Sequence, residues 1–448
     1  MAENGFTRKL ATFIVHTDNI PTWAYDHAKV AFMDWLAVTF GGKDDPLVIM
    51  LLDFCNQLGS ARQATIIGHG VKRDVTQAAL INGSASHALD YDDTLVSFFG
   101  HPSVTLFPAL LALAEWRGTS GMDFLEAYLI GLQAGGTVGA CAGLDHYMAG
   151  WHATSTLGHL AAAAGCARLL GLDEQQTVYA LGIGGTQSSG LKRVFGTMCK
   201  PFHAGRAAQS GLMAAMLAGR GFTSAEDILE GPQGFFECLK GKVNDDLAGM
   251  LGMGWDVANL SQKYHASCHA THSPLEAAMN IVKDEHIALD DIKAIRVHSS
   301  ELAMGAADKL NPATGLEGKF SIPYCVANAL LRAQTGIQAF SDEMVRDPEV
   351  RRLMEKITVE HDPAMLALEA MVELETVDGS TFSGFSDILQ KTPPYEVKQE
   401  RVRSKFQDLC EPALGAKRTT KLAGKIAALE KVRDMRHFSA SLRQVGSF

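Results

Sequence analysis

The residues with the most chemistry to offer lie between His87 and Ser103, in the stretch HALDYDDTLVSFFGHPS, where Asp90, Asp92, Asp93, Thr94 and two histidines (His87 and His101) crowd between two apolar runs. Polar groups that dense between apolar helices need partners, water or a ligand. The plainer reading is a helix end whose aspartates solvate a loop. Four further clusters bear on the choice. In GWHATSTLG, His152 precedes a Thr/Ser helix start whose free N–H groups suit an anion. In KPFHAGRAAQSG, Lys200, His203 and Arg206 fall at the start of a helix, where cations are unfavourable unless an anion joins them. That makes the segment the best carboxylate or phosphate site in the chain, with a solvated loop as the alternative. The segment KYHASCHATHSP holds His265, Cys268, His269 and His272, all zinc-ligand types, but their spacing does not pair ligands from two separated turns. No metal is therefore expected. In FSIPY, Tyr324 is either a hydroxyl donor or a core aromatic.

These clusters need elements to hold them. Ala28, Ala31, Phe32, Trp35 and Leu36 repeat with helical period, which predicts a helix over 22–40 stopped by Gly41-Gly42. A second helix is expected over 46–58. Ala64 to Gly68 is the single strand-like scrap in this part, and Asp74 caps a helix running into the opening motif. Further helices are expected over 103–117 and from about Met122, where Ser120 and Asp123 have capping-box spacing. Alanine- and glycine-rich runs at 157–172 and 179–191 let helix backbones approach closely, as in a tight bundle. Gly182-x-Gly184 is no dinucleotide fingerprint, because it lies inside a helical run instead of following a strand. Past residue 260 the texture changes. Segments 291–300, 356–363 and 371–384 read as strands, the last with Asp378-Gly379 as a hairpin turn, and helices near Ser273 and Ser321 are expected to cover one face of their sheet. From Lys398 the chain is charged and helical again, after a Pro393-Pro394 linker. The fold class is mainly α with an α+β second domain.

With 448 residues the chain exceeds one core, and two lobes are the expectation. A formal charge of −10 argues against a general affinity for nucleic acid or anionic membrane. Eight scattered cysteines without C-x-x-C spacing, and an MAENGFTRKL start with no apolar secretory core, point to a reduced, cytoplasmic protein. The uncharged run at 127–144 is broken by glycines and short for a membrane span, so a buried helix is expected.

Taken in order, HALDYDDT with HPS, GWHATSTLG, KPFHAGRAAQSG, the lysine-led segment ending in TH, and FSIPY resemble the signatures of the MmgE/PrpD family across nearly the whole chain. That family comprises 2-methylcitrate dehydratases, cis-aconitate decarboxylases and iminodisuccinate epimerases. The resemblance implies an all-helical bundle domain (1–260, completed by helices of 398–448), a smaller α+β lid domain (261–397), a homodimer, and no cofactor. It carries family active-site roles to Asp90, Thr94, His101, His152, Lys200, Lys263 and Tyr324, with His203, Arg206, Cys268 and His269 as substrate-binding candidates. One position departs: where cis-aconitate decarboxylases have a histidine five residues after the lysine matching Lys263, this chain has Cys268, followed by His269. The implied activity is a cofactor-independent lyase that transfers a proton next to a carboxylate of a small di- or tricarboxylic acid, foremost a 2-methylcitrate dehydratase-like reaction. An iminodisuccinate-like epimerase, a cis-aconitate decarboxylase and a non-catalytic carboxylate-binding protein are the alternatives. Lys200, Lys263 and Arg206 suit the developing charge, His101 and His152 suit proton transfer, and Asp90 would orient one histidine.

Overall fold

The computed structural model describes residues 5–307, 309–388 and 393–443. It divides into two compact units, one of residues 1–262 with 394–448 and the other of residues 263–393.

The first unit is built on α1 (Phe6–His16), α2 (Thr22–Gly42), α3 (Pro46–Leu58), α4 (Val75–His87), α5 (Ser103–Arg117), α6 (Gly121–Met148), α7 (Ala153–Leu170), α8 (Glu174–Thr186) and α9 (Cys199–Ala218). Their starts are set locally. The Asp74 carboxylate accepts the N–H groups of Thr76 and Gln77 at the head of α4, Ser120 and Asp123 form a reciprocal capping box on α6, and Asp173 with Gln176 does the same for α8. Each such cap is worth about 1 kcal/mol. The strand-like scrap becomes β1 (Ala64–Thr65), paired antiparallel with β2 (Lys72–Arg73).

Small residues decide how these helices pack. Nearly every residue of α4 is buried, and it crosses α9 where Gly83 meets Gly205. A Cβ on Gly205 would lie 2.2 Å from the Leu80 carbonyl oxygen, and one on Gly83 would lie 2.7 Å from the Gly205 Cα. The crossing therefore brings His87, at the C-terminal end of α4, near the residues at the start of α9. An aromatic layer of Phe32, Trp35, Phe107, Phe124 and Tyr128 fills the core beside it, with Phe107 and Tyr128 stacked at 3.9 Å. Fully burying side chains of this size contributes roughly 1.5–3 kcal/mol each. Helix α6 is long and apolar enough to cross a membrane, but 78% of its most apolar window is packed inside the protein.

The second unit carries a four-stranded sheet in the order β4-β3-β5-β6, from β3 (Ile292–Ser299), β4 (Ile357–His361), β5 (Ala370–Thr376) and β6 (Thr381–Ser386). Only β3 and β4 run parallel. Burial alternates along β5, as expected of a strand with one covered face. At the β5–β6 turn the Asp378 carboxylate accepts from Thr376 Oγ1 and the Ser380 N–H, and Gly379 takes the left-handed backbone (φ +88°) the turn requires. Helix α10 (His272–Asp284) packs on β5 and β6, and α11 (Ile322–Arg332), capped by the Ser321 hydroxyl, packs on α10 and β4.

The chain then returns to the first unit as α12 (Tyr395–Leu414), which packs along α2, and α13 (Ala416–Ala427). Two buried lysines on α12 reach inward. Lys405 Nζ donates to Asp34 Oδ1 on α2 at 2.6 Å and to the Tyr91 carbonyl at 2.5 Å, while Lys398 Nζ donates to the Leu260 carbonyl at 2.8 Å. The end of the expected C-terminal helical stretch, 444–448, lies outside the described residues.

Candidate active site

The site in the first unit forms where the loop after α4 meets the starts of α7 and α9. Successive aspartates of that loop point in different directions. Asp90 has a left-handed backbone (φ +52°), tolerated by aspartate better than by most side chains, and its Oδ1 accepts from Lys200 Nζ at 2.8 Å. Asp92 is buried between two imidazoles: His87 Nδ1 lies 3.0 Å from both its oxygens, and His101 Nδ1 lies 2.8 Å from Oδ2. Asp93 faces the core and accepts from the Ser103 hydroxyl at 2.5 Å, with Tyr128 completing the chain at 2.8 Å. Thr94 is fixed by its backbone, which exchanges two 2.9 Å hydrogen bonds with Ser261. Gly100 lets the loop touch α7, since a Cβ there would fall 2.6 Å from Thr154 Oγ1; the neighbouring His101 N–H donates to that same oxygen at 3.1 Å.

Asp90, the expected orienting carboxylate, pairs with Lys200 and lies 3.8 Å from His101 Nε2, while Asp92 is the carboxylate that faces both His87 and His101. An ionised carboxylate only accepts, which favours a proton on each facing Nδ1, in a hydrogen bond for His87 and in a 2.8 Å contact off the hydrogen-bond line for His101. For His101 that leaves Nε2, the atom 3.8 Å from Asp90 Oδ1 beside Lys200, as its basic nitrogen. His152 caps α7 without a side-chain hydrogen bond to it. Its ring stacks on His87 at 6.1 Å, meets the edge of Phe195 at 4.9 Å, and places Nδ1 3.0 Å from His203 Nδ1. Lys200 lies in the first turn of α9, its ammonium 5.5 Å from the Phe195 ring centre.

Burial pushes His87 down to about 4 despite the pull of Asp92, and holds His152 well below its ordinary value, helped by His87, Lys200, His203 and His101. Both rings are neutral at neutral pH and available for proton transfer. Burial would raise Asp92, but His87 and His101 outweigh it and keep that carboxyl well below the usual range. Asp93 goes the other way: burial, with Asp34 adding to it, raises it to about 8. The donor atoms of His87, Asp90, Asp92 and His101 all lie within 4.8 Å of one another, close enough to share a cation. Here, however, both Nδ1 atoms face Asp92 and the Lys200 ammonium is on Asp90, so each of these carboxylates already has protein groups beside it.

Asp90, His101, His152, His203 and Lys200 thus come together. Arg206 does not join them: it is exposed, on a later turn of α9, and bonds Gln209. Lys263, Cys268, His269 and Tyr324 belong to the second unit. Lys263 is buried there. Cys268 Sγ lies 3.8 Å from the Ala306 carbonyl. His269 packs against His272 at 4.8 Å, and His265 bonds Thr335 and Glu276, so these histidines do not gather their nitrogens around one point. The Tyr324 hydroxyl, fully buried, donates to the Ala339 carbonyl. Sequence reasoning left His87 and Asp92 out of the site although both stand in its opening motif. Their five-residue separation across a helix end was the available signal. Phe195 and Lys405 had none.

Comparison with known proteins matches the MmgE/PrpD N-terminal domain over residues 8–247 and the MmgE/PrpD C-terminal domain over residues 265–430. Cis-aconitate decarboxylase of Aspergillus terreus is 27% identical, covering 97% of this chain and 95% of its own length. Human cis-aconitate decarboxylase is also 27% identical, over 85% and 82%. The 2-methylcitrate dehydratase of Escherichia coli K12 is 24% identical, over 80% of each. With both domains matched in order along most of its length, the chain belongs to the MmgE/PrpD family.

Proposed function

We propose that this protein is a cofactor-independent lyase that dehydrates a small tricarboxylic acid of the 2-methylcitrate kind. The observation that carries the reading is the position of His101, with Nδ1 2.8 Å from Asp92 and Nε2 3.8 Å from Asp90 beside Lys200. A proton on carbon next to a carboxylate is weakly acidic, and its removal needs a base together with a cation where negative charge develops. His101 supplies the first and Lys200 the second. His152, across His87 from His101, gives a proton to the departing hydroxyl, so that base and acid complete the loss of water. A second reading, decarboxylation of cis-aconitate, is supported by the relatives matched over 95–97% of both chains. Cys268 at the position of the decarboxylases' histidine weighs against it.

Purified protein incubated with 2-methylcitrate or cis-aconitate in D₂O and followed by NMR tests both readings. Appearance of the alkene from 2-methylcitrate supports dehydration, and carbon dioxide with a deuterated product from cis-aconitate supports decarboxylation. If both acids are returned unchanged and unlabelled, the lyase reading fails.

A further inference from the structure

We propose that His203 is the proton relay of His152, a ring that stays off the substrate and passes a single proton between His152 and solvent. The inference rests on the lyase reading above for its role in turnover, and the experiment below separates the two.

The two Nδ1 atoms are 3.0 Å apart. Nitrogens at that distance repel unless one carries a proton and the other accepts it. Where that proton sits sets the chemistry of His152. With the proton on His152 Nδ1, its Nε2 is a bare lone pair and the ring is a base. With the proton on His203, His152 Nδ1 accepts and its Nε2 bears hydrogen, so the ring is an acid. Transfer across the 3.0 Å contact, coupled to proton gain or loss at the Nε2 of each ring, therefore resets His152 between turnovers. When His152 Nε2 takes a proton, its Nδ1–H bond breaks as a new N–H bond forms on His203 Nδ1, and His203 loses a proton from Nε2 to water. When His152 gives one up, the same steps run backwards.

The surroundings favour this path. His152 is 3% exposed, whereas His203 is half-buried and is the ring of the pair with access to solvent. The Gly190 carbonyl accepts the His152 N–H at 2.9 Å. At the same residue (φ +124°) a Cβ would stand 2.7 Å from Ser155 Cβ and 3.3 Å from His203 Nδ1, so a side chain there would crowd the junction. Phe195 lies edge-on against His152. The titratable neighbours of His152 are His87 from α4, His101 from the loop, and Lys200 and His203 from α9, while His203 acts electrostatically on His159 of α7. Burial lowers both His152 and His203, so neither holds a second proton strongly at neutral pH and transfer between them is not uphill by a full charge separation.

The test uses the full chain with ¹⁵N-labelled histidine. In the wild type the two Nδ1 resonances should fall between protonated and unprotonated values and titrate together. In His203→Asn, whose amide can hold His152 but cannot pass a proton, His152 should freeze in one tautomer. With 2-methylcitrate and cis-aconitate as probes in D₂O, the same variant should keep KM while kcat falls roughly a hundredfold, the low end of what a proton-transfer group contributes. Added imidazole should restore turnover to His203→Ala. Independent titration of the two rings, with the His152 tautomer unchanged in His203→Asn, overturns the relay whether or not any acid reacts. A wild type that turns over a probe while His203→Asn matches its kcat and pH profile overturns the relay and leaves the lyase reading standing. Coupled titration in a protein inert to both acids upholds the relay and overturns the lyase reading.

Discussion

An Asp92→Asn substitution leaves the shape of the loop alone and removes half of what the carboxylate offers. Two Nδ1 atoms converge on Asp92, at 3.0 Å from His87 and 2.8 Å from His101. An asparagine accepts through its oxygen from one ring and must present its NH₂ group to the other, and an amide N–H facing an Nδ1–H is not tolerated in a buried site. One imidazole is thereby forced to move its proton to Nε2. If that ring is His101, its basic nitrogen is lost; if it is His87, the stack between His101 and His152 is disturbed. Loss of a positioned general base costs about 10²- to 10⁴-fold, which is about 3 to 5 kcal/mol of transition-state stabilisation. The fold pays less, roughly 1.5–3 kcal/mol for a hydrogen bond to a charged group. The assay is kcat/KM on the acid identified above, measured across pH together with the melting temperature. The deficit should persist at every pH, because the fault is the tautomer and not the extent of protonation. Wild-type kcat/KM in Asp92→Asn, or a deficit that high pH repairs, would refute the assignment of Asp92 as the carboxylate that holds His101.

Lys405→Met should destabilise the first unit by about 3–5 kcal/mol by leaving Asp34 charged and buried, whereas Asp34→Leu combined with Lys405→Met should recover most of the loss; thermal melting of the two variants decides. Because burial holds the Asp93 carboxyl at about 8, above its unfolded value, the folded protein keeps a proton that the unfolded chain releases, and this group makes stability fall as pH rises from about 4 to about 8. Asp93→Asn, which mimics the protonated form, should flatten that decline in denaturant titrations run at several pH values. Gly205→Ala should cost roughly 1–3 kcal/mol, since the new Cβ would stand 2.2 Å from the Leu80 carbonyl oxygen and force α4 away from α9; an unchanged melting temperature would show that the crossing is looser than it looks.

The fold class was legible because it depends on local rules. The repeat through Ala28, Phe32 and Trp35 gave α2, the spacing of Ser120 and Asp123 gave the start of α6, and Asp378-Gly379 gave the β5–β6 turn. What eluded the sequence was direction. In D-Y-D-D the three carboxylates look alike, yet one meets a lysine 110 residues away, one lies between two imidazoles, and one turns to Ser103 in the core. Those orientations follow from the left-handed turn at Asp90 and from where α9 and α12 happen to lie, and neither leaves a trace in the spacing of the loop itself. Arg206 shows the same limit: its charge suited an anion, but the helical phase of α9 carries it to the outer face.

Tyr91 waits a long time for its partner. The Lys405 ammonium that anchors its carbonyl is 314 residues further along the chain, which at ribosomal speeds of about 5–20 residues per second means roughly 15 to 60 s between the two. All of residues 263–393 must emerge in the interval, and that stretch is a compact unit able to gather its own sheet first. Until α12 arrives, Asp34 and the loop through Tyr91 lack the cation that Lys405 supplies. The nascent first unit is therefore an unfinished bundle whose loop through Tyr91 is short of one anchor. Chains arrested or cut before α12 should be recognised as such by proteases, and should remain catalytically silent until a separately supplied α12–α13 segment docks.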